Sequence, residues 1–170
     1  LENNTEIIIA GGGHAGLEAA LAIARMGGKC SIVTMEPAAV GRLSCNPAMG
    51  GLGKSHLVKE MDALGGIMGF CSDLAGIQFK TLNKTKGRAV WANRIQLDKK
   101  TYPKHVHVIL NKNKNIDIIK GEVVDFETKK EAVVSTILKD GTKIPCRGLI
   151  ITCGTFLNGL IHIGDRSFPA

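Results

Sequence analysis

Two glycine-rich stretches hold the residues whose types and spacing could do chemistry. In "GGGHAG" (11–16), Gly11, Gly13 and Gly16 stand at G-x-G-x-x-G spacing. In that pattern the first glycine permits a tight turn, the second lets backbone approach a pyrophosphate, and the third lets a helix pack close on a strand. Gly12, His14 and Ala15 complete the turn, and its amides would meet the phosphates at the positive end of a helix. His14 is expected to contribute backbone rather than ring chemistry. Glu36, about 20 residues on, is placed to accept hydrogen bonds from a ribose. The second stretch, "LSCNPAMGGLGKSH" (43–56), holds Ala48, Gly53, Lys54 and Ser55 at Walker A spacing, with alanine for the opening glycine. A P-loop needs a strand aimed at the phosphates, and "GRLSCNP" is polar and broken by proline. We read this match as a decoy. Gly50, Gly51 and Gly53 could let backbone pass close to a bulky planar ligand such as an isoalloxazine ring, with Lys54 serving an anionic partner, or form only a flexible turn. Cys45 lies in a glycine-rich, positively biased site of the kind that activates a thiol nucleophile, though a lone cysteine is more often a small core residue.

These residues need a scaffold, and the hydrophobic pattern supplies one. "EIIIA" (6–10) is a β-branched strand run, "LEAALAIARMG" has apolar residues at helical spacing, Gly27 and Gly28 stop it, and "CSIVTME" (30–36) is a second strand. This is a βαβ unit with parallel strands. Ala20 and Ala24, at four-residue steps after Gly16, suit close helix–sheet packing. Leu57, Val58, Met61 and Leu64 predict one face of a helix ended by Gly65 and Gly66. Residues 70 to 94 read as loop with short helix, and "DKKTYPKHVHVILNK" as a helix disturbed by Pro103.

From residue 116 the period changes. "IDIIKG", "EVVDFET", "AVVSTILKDGTKIP" and "RGLIITCGT" read as strands, with "KDG" as a hairpin turn. A three-stranded antiparallel excursion then returns to the sheet at "ITCGTF", where Gly154 and Thr155 would approach the cofactor. The fingerprint alone leaves FAD and NAD open; the excursion and the late strand ending favour FAD by analogy of fold. The expected class is α/β, a Rossmann-like FAD-binding domain with a parallel sheet and an antiparallel β-meander. One partial domain is expected over 1–170. Within it lie the fingerprint (6–36), a glycine-rich Cys-Asn-Pro segment (41–69), a basic segment (80–104), and the meander with its return strand (116–156).

Composition bounds the rest. The 170 residues, 44% hydrophobic and 22% charged, suit a packed domain rather than a disordered chain. The net charge of +7 is concentrated. Lys80, Lys84, Lys86, Arg88, Arg94, Lys99, Lys100 and Lys104 are opposed only by Asp98, a patch that could meet nucleic-acid phosphates or be a solvated face. Phe79, Trp91 and Tyr102 are too few for a base-stacking platform. Cys30, Cys45, Cys71, Cys146 and Cys153 form no C-x-x-C pair, which favours a reducing cytoplasm over a zinc site or disulfide framework. His105 and His107 could share a face only on a strand. No run approaches the ~20 apolar residues that span a membrane. The start at Leu1 and the stop at "RSFPA" suggest a piece of a longer protein.

With these residues laid out, the chain resembles the amino-terminal flavin domain of the glucose-inhibited division protein A family. The likeness is carried by "GGGHAGLEAALAIARMG", "SCNPAMGGLGKSHLVKEMDALGG", "AGIQFKTLNKTKGRAVW" and "GTFLNGLIHIG". It implies an FAD-dependent enzyme that uses NADH and a folate one-carbon donor. With a GTPase partner, such an enzyme adds a (carboxymethyl)aminomethyl group at the five-position of the wobble uridine of certain tRNAs. It also implies that Gly11 to Gly16 bind the FAD pyrophosphate, that the Val123 backbone contacts the adenine side, and that Cys45 attacks the uracil ring. A cytoplasmic homodimer is implied for the full-length protein, and this piece alone is expected to be inactive. The sequence departs from the family pattern at Arg88, where proline is usual, at Ser55, where glycine is usual, in "RIQLD", and at Pro103. Two rival readings are a generic FAD- or NAD-dependent oxidoreductase and a non-catalytic nucleic-acid or GTPase-binding module.

Overall fold

The computed structural model describes residues 6–44, 46–155, 157 and 159–169. Strand β1 (Ile7–Ala10) leads through the glycine turn into helix α1 (His14–Arg25), and β2 (Cys30–Thr34) follows. Leu17, Ala20, Leu21 and Ile23 recur at helical spacing on α1, and all are buried. Full burial of a side chain such as Leu17 contributes about 1.5–3 kcal/mol. Gly27 then takes a φ of 83°, which ends the helix.

The chain continues through β3 (Ala48–Gly50), α2 (Ser55–Ala63), α3 (Met68–Ala75), β4 (Gly76–Leu82), β5 (Ala92–Leu97), α4 (Thr101–Lys112) and β6 (Ile116–Lys120). It closes with β7 (Val123–Lys129), β8 (Ala132–Leu138), β9 (Lys143–Pro145), β10 (Gly148–Ile151), β11 (Leu160–Ile163) and β12 (Arg166–Pro169). The central sheet has the order β10-β1-β2-β6, all parallel, with Ile8 opposite both Leu149 and Ser31. Because side chains alternate along a strand, its two faces take different partners. Ile9 and Ile32 pack under α1, α3 and α4 with Leu17, Cys71, Tyr102 and Val106. Ile8 and Val33 pack against Leu138, Ile144 and Cys146 of the meander sheet β7-β8-β9. Helices, parallel sheet and meander make three layers, a Rossmann-like arrangement with an antiparallel excursion before the return strand β10.

Two stretches differ from their sequence-based expectation. Of residues 70–94, expected as loop with short helix, 70–75 are helical in α3, but from Gly76 the chain forms the antiparallel pair β4–β5, with β3 on the other edge of β5. Ile77 and Phe79 do alternate with Gln78 and Lys80, but they lie exposed, so burial does not mark the strand. Helix α2 forms as expected, yet none of its residues is fully buried: Val58 packs partly buried against the core, while Leu57 and Leu64 are exposed.

Pro103 does not disturb α4. It is the third residue of the helix, where the missing N–H has no intrahelical acceptor to lose. The turn is set upstream by Asp98, whose carboxylate accepts from the amides of Lys100 (3.0 Å) and Thr101 (2.6 Å). A hydrogen bond from the Thr101 side chain, together with those two amide bonds, holds the Asp98 carboxyl below the usual carboxylate range. Glu18 makes a longer link: from the buried face of α1 it accepts from the amides of Ile67 (2.9 Å) and Met68 (2.8 Å), capping α3 across the core.

Candidate functional site

The β1-to-α1 corner is built by steric exclusion. Gly11 has a φ of 116°, and a β-carbon there would sit 2.6 Å from the Thr152 carbonyl oxygen. A β-carbon on Gly12 would lie 2.9 Å from Val40 Cγ2, and one on Gly16 would overlap the Gly11 carbonyl oxygen. Gly13 is the exception: nothing lies within 4 Å of its β-position. Three cramped positions therefore surround one open one, and the open one begins the helix. The first bond of α1 runs from the Leu17 amide to the Gly13 carbonyl (2.9 Å), which leaves the amides of His14, Ala15 and Gly16 without intrahelical acceptors. With the helix dipole behind them, such amides suit a diphosphate.

Thr152, which carries no motif of its own in the sequence, locks this corner. It follows β10, donates its amide to the Ala10 carbonyl (2.9 Å), and directs its hydroxyl at the carbonyls of Ala10 (3.0 Å) and Gly11 (3.2 Å). The one signal for it is a hydroxyl residue at the end of a strand that pairs with the fingerprint strand. The other wall comes from the segment after β2, where the Gly41 amide donates to the Gly12 carbonyl (3.0 Å). Glu36 lies on this side, two residues beyond β2. Its carboxylate is paired with Arg42 at 2.9 Å, and both side chains are more than half exposed. An exposed pair of this kind is weak enough for a ligand hydroxyl to compete.

The remaining sequence-chosen residues divide. Val123 begins β7 and packs on the meander side, against the cluster of Ile8 and Val33. A cavity of about 260 Å³ opens beside it, lined by Met35, Gly121, Glu122 and Leu138 among others. Gly154 (φ 62°) and Thr155 are exposed in the turn after Thr152. Cys45 lies outside the described residues. The Walker-like stretch is strand at its own first residue: Ala48 begins β3, a three-residue antiparallel edge strand, and Ser55 begins the helix. Gly50 (φ 80°), Gly51 (φ 104°) and Gly53 (φ 67°) all need left-handed backbone between them.

Burial disfavours the charged form at Cys30, Cys71 and His14. Burial, reinforced by Asp117, pushes the Cys30 thiol up to about 11, and burial with Glu18 does the same to Cys71. These are core thiols, not thiolate nucleophiles. The His14 ring turns inward onto Tyr102 of α4, with ring centroids 5.7 Å apart, and burial lowers its pKa. The backbone of His14 thus faces the open side of the corner while its ring belongs to the core. His14 Nε2 and the Tyr102 hydroxyl are buried without partners. His105 and His107 are two apart on α4 and point to different sides. Among the described residues no group of three or more metal-ligating side chains is gathered, and no helix is long and apolar enough to cross a membrane.

Comparison with known proteins agrees with this geometry. The tRNA uridine 5-carboxymethylaminomethyl modification enzyme MnmG of Protochlamydia amoebophila is 44% identical over 163 residues, covering 96% of this chain and 26% of the relative. The solved structure of Aquifex aeolicus GidA superposes with a TM-score of 0.90 at 45% identity, covering 96% of this chain and 27% of that one. This chain thus spans about a quarter of the length of the relatives it matches. PqsL of Pseudomonas aeruginosa, described as a probable FAD-dependent monooxygenase, shares the fold at 13% identity (TM-score 0.60, 89% of this chain and 43% of that one). The family model described as "Glucose inhibited division protein A" matches residues 6–170. A match over nearly the whole chain, on a glycine corner of this geometry, means that the chain belongs to the glucose-inhibited division protein A family.

Proposed function

We propose that this chain is the flavin-binding part of an FAD-dependent tRNA-modifying enzyme, one that adds a (carboxymethyl)aminomethyl group at the five-position of the wobble uridine. One observation carries the cofactor assignment: three glycine positions are closed to any side chain, and the one that must admit a diphosphate is open. The reaction class is taken from the name of the relatives.

In this reading the turn Gly11 to Gly16 holds the FAD diphosphate through the amides of Gly12 to Gly16, the Gly11 amide being donated to the Val33 carbonyl. Glu36 exchanges Arg42 for a ribose hydroxyl, and the Val123 backbone meets the adenine. Gly154 and Thr155 close the return side, behind the Thr152 lock. Once bound, the flavin would supply two-electron redox chemistry. The chain's own part is to fix the diphosphate, keep the corner rigid, and present the Cys45 thiol as the nucleophile toward the uracil ring. NADH as electron source, a folate-derived one-carbon donor, a GTPase partner protein, a homodimer and a cytoplasmic location belong to the same proposal for the full-length enzyme.

The test is direct. Purified and incubated with FAD, the chain is expected to retain a visible flavin absorption band at close to one flavin per protein, and to prefer FAD over NADH in titration. A protein that stays colourless and binds neither overturns the assignment. For Cys45, replacement by Ser or Ala in a full-length parent is expected to abolish tRNA modification while flavin is retained; unchanged modification removes it from the mechanism.

A further inference from the structure

The tip of the β4–β5 hairpin has a feature that the flavin site does not use. Residues 80–94 contain Lys80, Lys84, Lys86, Arg88 and Arg94 and no acidic residue. Among the described residues four surface cations have an ion pair, all outside this hairpin: Arg42 with Glu36, Lys139 with Glu122, Lys143 with Glu127 and Arg147 with Glu6. None of the five hairpin cations has an ion pair among the described residues. Two of them directly oppose each other, because Lys80 is the cross-strand partner of Arg94. Like charges in that register destabilise a sheet. A bound polyanion would relieve that repulsion.

The tip is shaped as well as charged. Asn83 (φ 59°) and Gly87 (φ 92°) take left-handed backbone and frame two successive 3-10 turns, Lys84–Lys86 and Arg88–Val90. Lys84, Lys86 and Arg88 are thereby held around one compact, exposed turn. The chain's single tryptophan, Trp91, follows at once and is 44% exposed, with the Arg88 guanidinium 5.8 Å from its ring centroid. An exposed indole flanked by a guanidinium is the pairing on which an unstacked base can lie. Thr81, Asn83, Thr85 and Asn93 add hydroxyl and amide groups of the kind that contact phosphate and sugar.

We infer that this hairpin tip is an RNA-binding surface, with Lys84, Lys86 and Arg88 on the phosphate backbone and Trp91 stacking on a base turned out of a single-stranded loop. The inference rests on the tRNA reading above and deepens it, since it names where on this chain the RNA lands. Loop RNA is favoured over duplex because a stacking ring needs a base already free of its neighbours. It is favoured over an anionic membrane because Thr81, Asn83, Thr85 and Asn93 interrupt the apolar residues between the cations, so no continuous apolar face forms.

The experiment is fluorescence anisotropy of a labelled RNA stem-loop with a uridine-rich loop, titrated with this chain across a range of salt concentrations. The double variant Lys84→Ala, Lys86→Ala is expected to bind roughly 10-fold more weakly at low salt. Its log–log salt slope should be shallower by roughly 1.4, about 0.7 for each single-strand phosphate that it no longer neutralises. Trp91→Leu is expected to lose roughly 5- to 100-fold with the salt slope unchanged. The charge-matched control Lys139→Ala, Lys143→Ala, on the meander, should bind as the parent does. Equal loss in both double variants, an unaffected Trp91→Leu, duplex RNA bound as tightly as the stem-loop, or binding to phosphatidylserine vesicles without binding to RNA would each overturn the inference. Flavin content measured on the same samples keeps the two readings apart. Retained flavin with no RNA binding refutes only the hairpin surface, and hairpin-dependent RNA binding by a colourless protein refutes only the flavin site.

Discussion

This chain makes the same local move twice, from a strand through glycines into a helix, with opposite results. At Gly11–Gly16 the strand is β1, central in a parallel sheet, and the helix α1 buries Leu17, Ala20, Leu21 and Ile23. At Gly50–Lys54 the strand is β3, three residues long at a sheet edge, and no residue of the helix α2 is fully buried. The second stretch spells the better-known phosphate motif, yet the first has the architecture of a phosphate site. Glycines matter in the first because backbone at Gly11 and Gly16, and the side chains of Val40 and Thr34 at Gly12, occupy the space a side chain would need. In the second only Gly50 is closed in this way, by the Asn93 carbonyl oxygen; Gly51 and Gly53 are needed for their φ, and Gly53 has open space around it. Letters at the right spacing become a site only where the strand and helix that flank them are themselves fixed by a core.

Substitutions can widen or close that contrast. Gly16→Ala should do the most damage, about 3 kcal/mol or more, because the new methyl meets the Gly11 carbonyl, which cannot move without breaking the Thr152 lock. Urea unfolding and flavin content should fall together. A Gly16→Ala protein with normal stability and full flavin would erase the distinction between the corners. Glu18→Ala should cost about 2–3 kcal/mol by leaving the amides of Ile67 and Met68 without their acceptor. Since Glu18 ties α1 to α3, hydrogen exchange should rise first at the start of α3.

The next effect is a pH dependence confined to the first corner. Burial holds the His14 pKa below the ordinary 6.5, so the folded ring refuses a proton that the unfolded chain accepts. Stability from this group is complete above about pH 6.5 and declines as the pH falls below it, by up to about 1.4 kcal/mol per unit until the folded ring itself titrates. His14→Phe should flatten that part of the profile in urea midpoints measured between about pH 7.5 and about pH 5. Gly53→Ala, the counterpart of Gly16→Ala, should cost only about 1 kcal/mol, from its φ alone, and leave flavin content unchanged. Tyr102→Phe should be smallest and of opposite sign, neutral or stabilising by up to about 1 kcal/mol, because the buried hydroxyl it removes has no partner.

The strands and helices most legible beforehand were those whose pattern and burial coincide. "EIIIA" and "CSIVTME" are apolar runs in a sheet covered on both faces, so strand and core position are one signal. The meander was legible because "KDG" marks its turn and its strands are rich in β-branched residues. The β4–β5 hairpin was not, since its apolar residues Ile77 and Phe79 face outward and its cations dominate the composition. The amphipathic pattern of α2 was real as periodicity, but nothing in the described structure covers Leu57 or Leu64. Pro103 reads as an interruption because a sequence does not say which residue is third in a helix; Asp98, capping from upstream, decides that.

Local rules thus sufficed for the glycine corner, the βαβ unit, the meander and the concentration of charge, because each depends on residues close together in the chain. Tertiary structure alone decided what closes the corner and what fills it. Thr152 and Gly41 reach the glycines from distant segments, and the His14 ring turns away from the site onto Tyr102. Glu18 caps a helix 49 residues away. Lys80 and Arg94 became opposed only when two strands took one particular register. Contacts between residues far apart in sequence depend on how the elements pack, and a one-dimensional pattern holds no record of that choice.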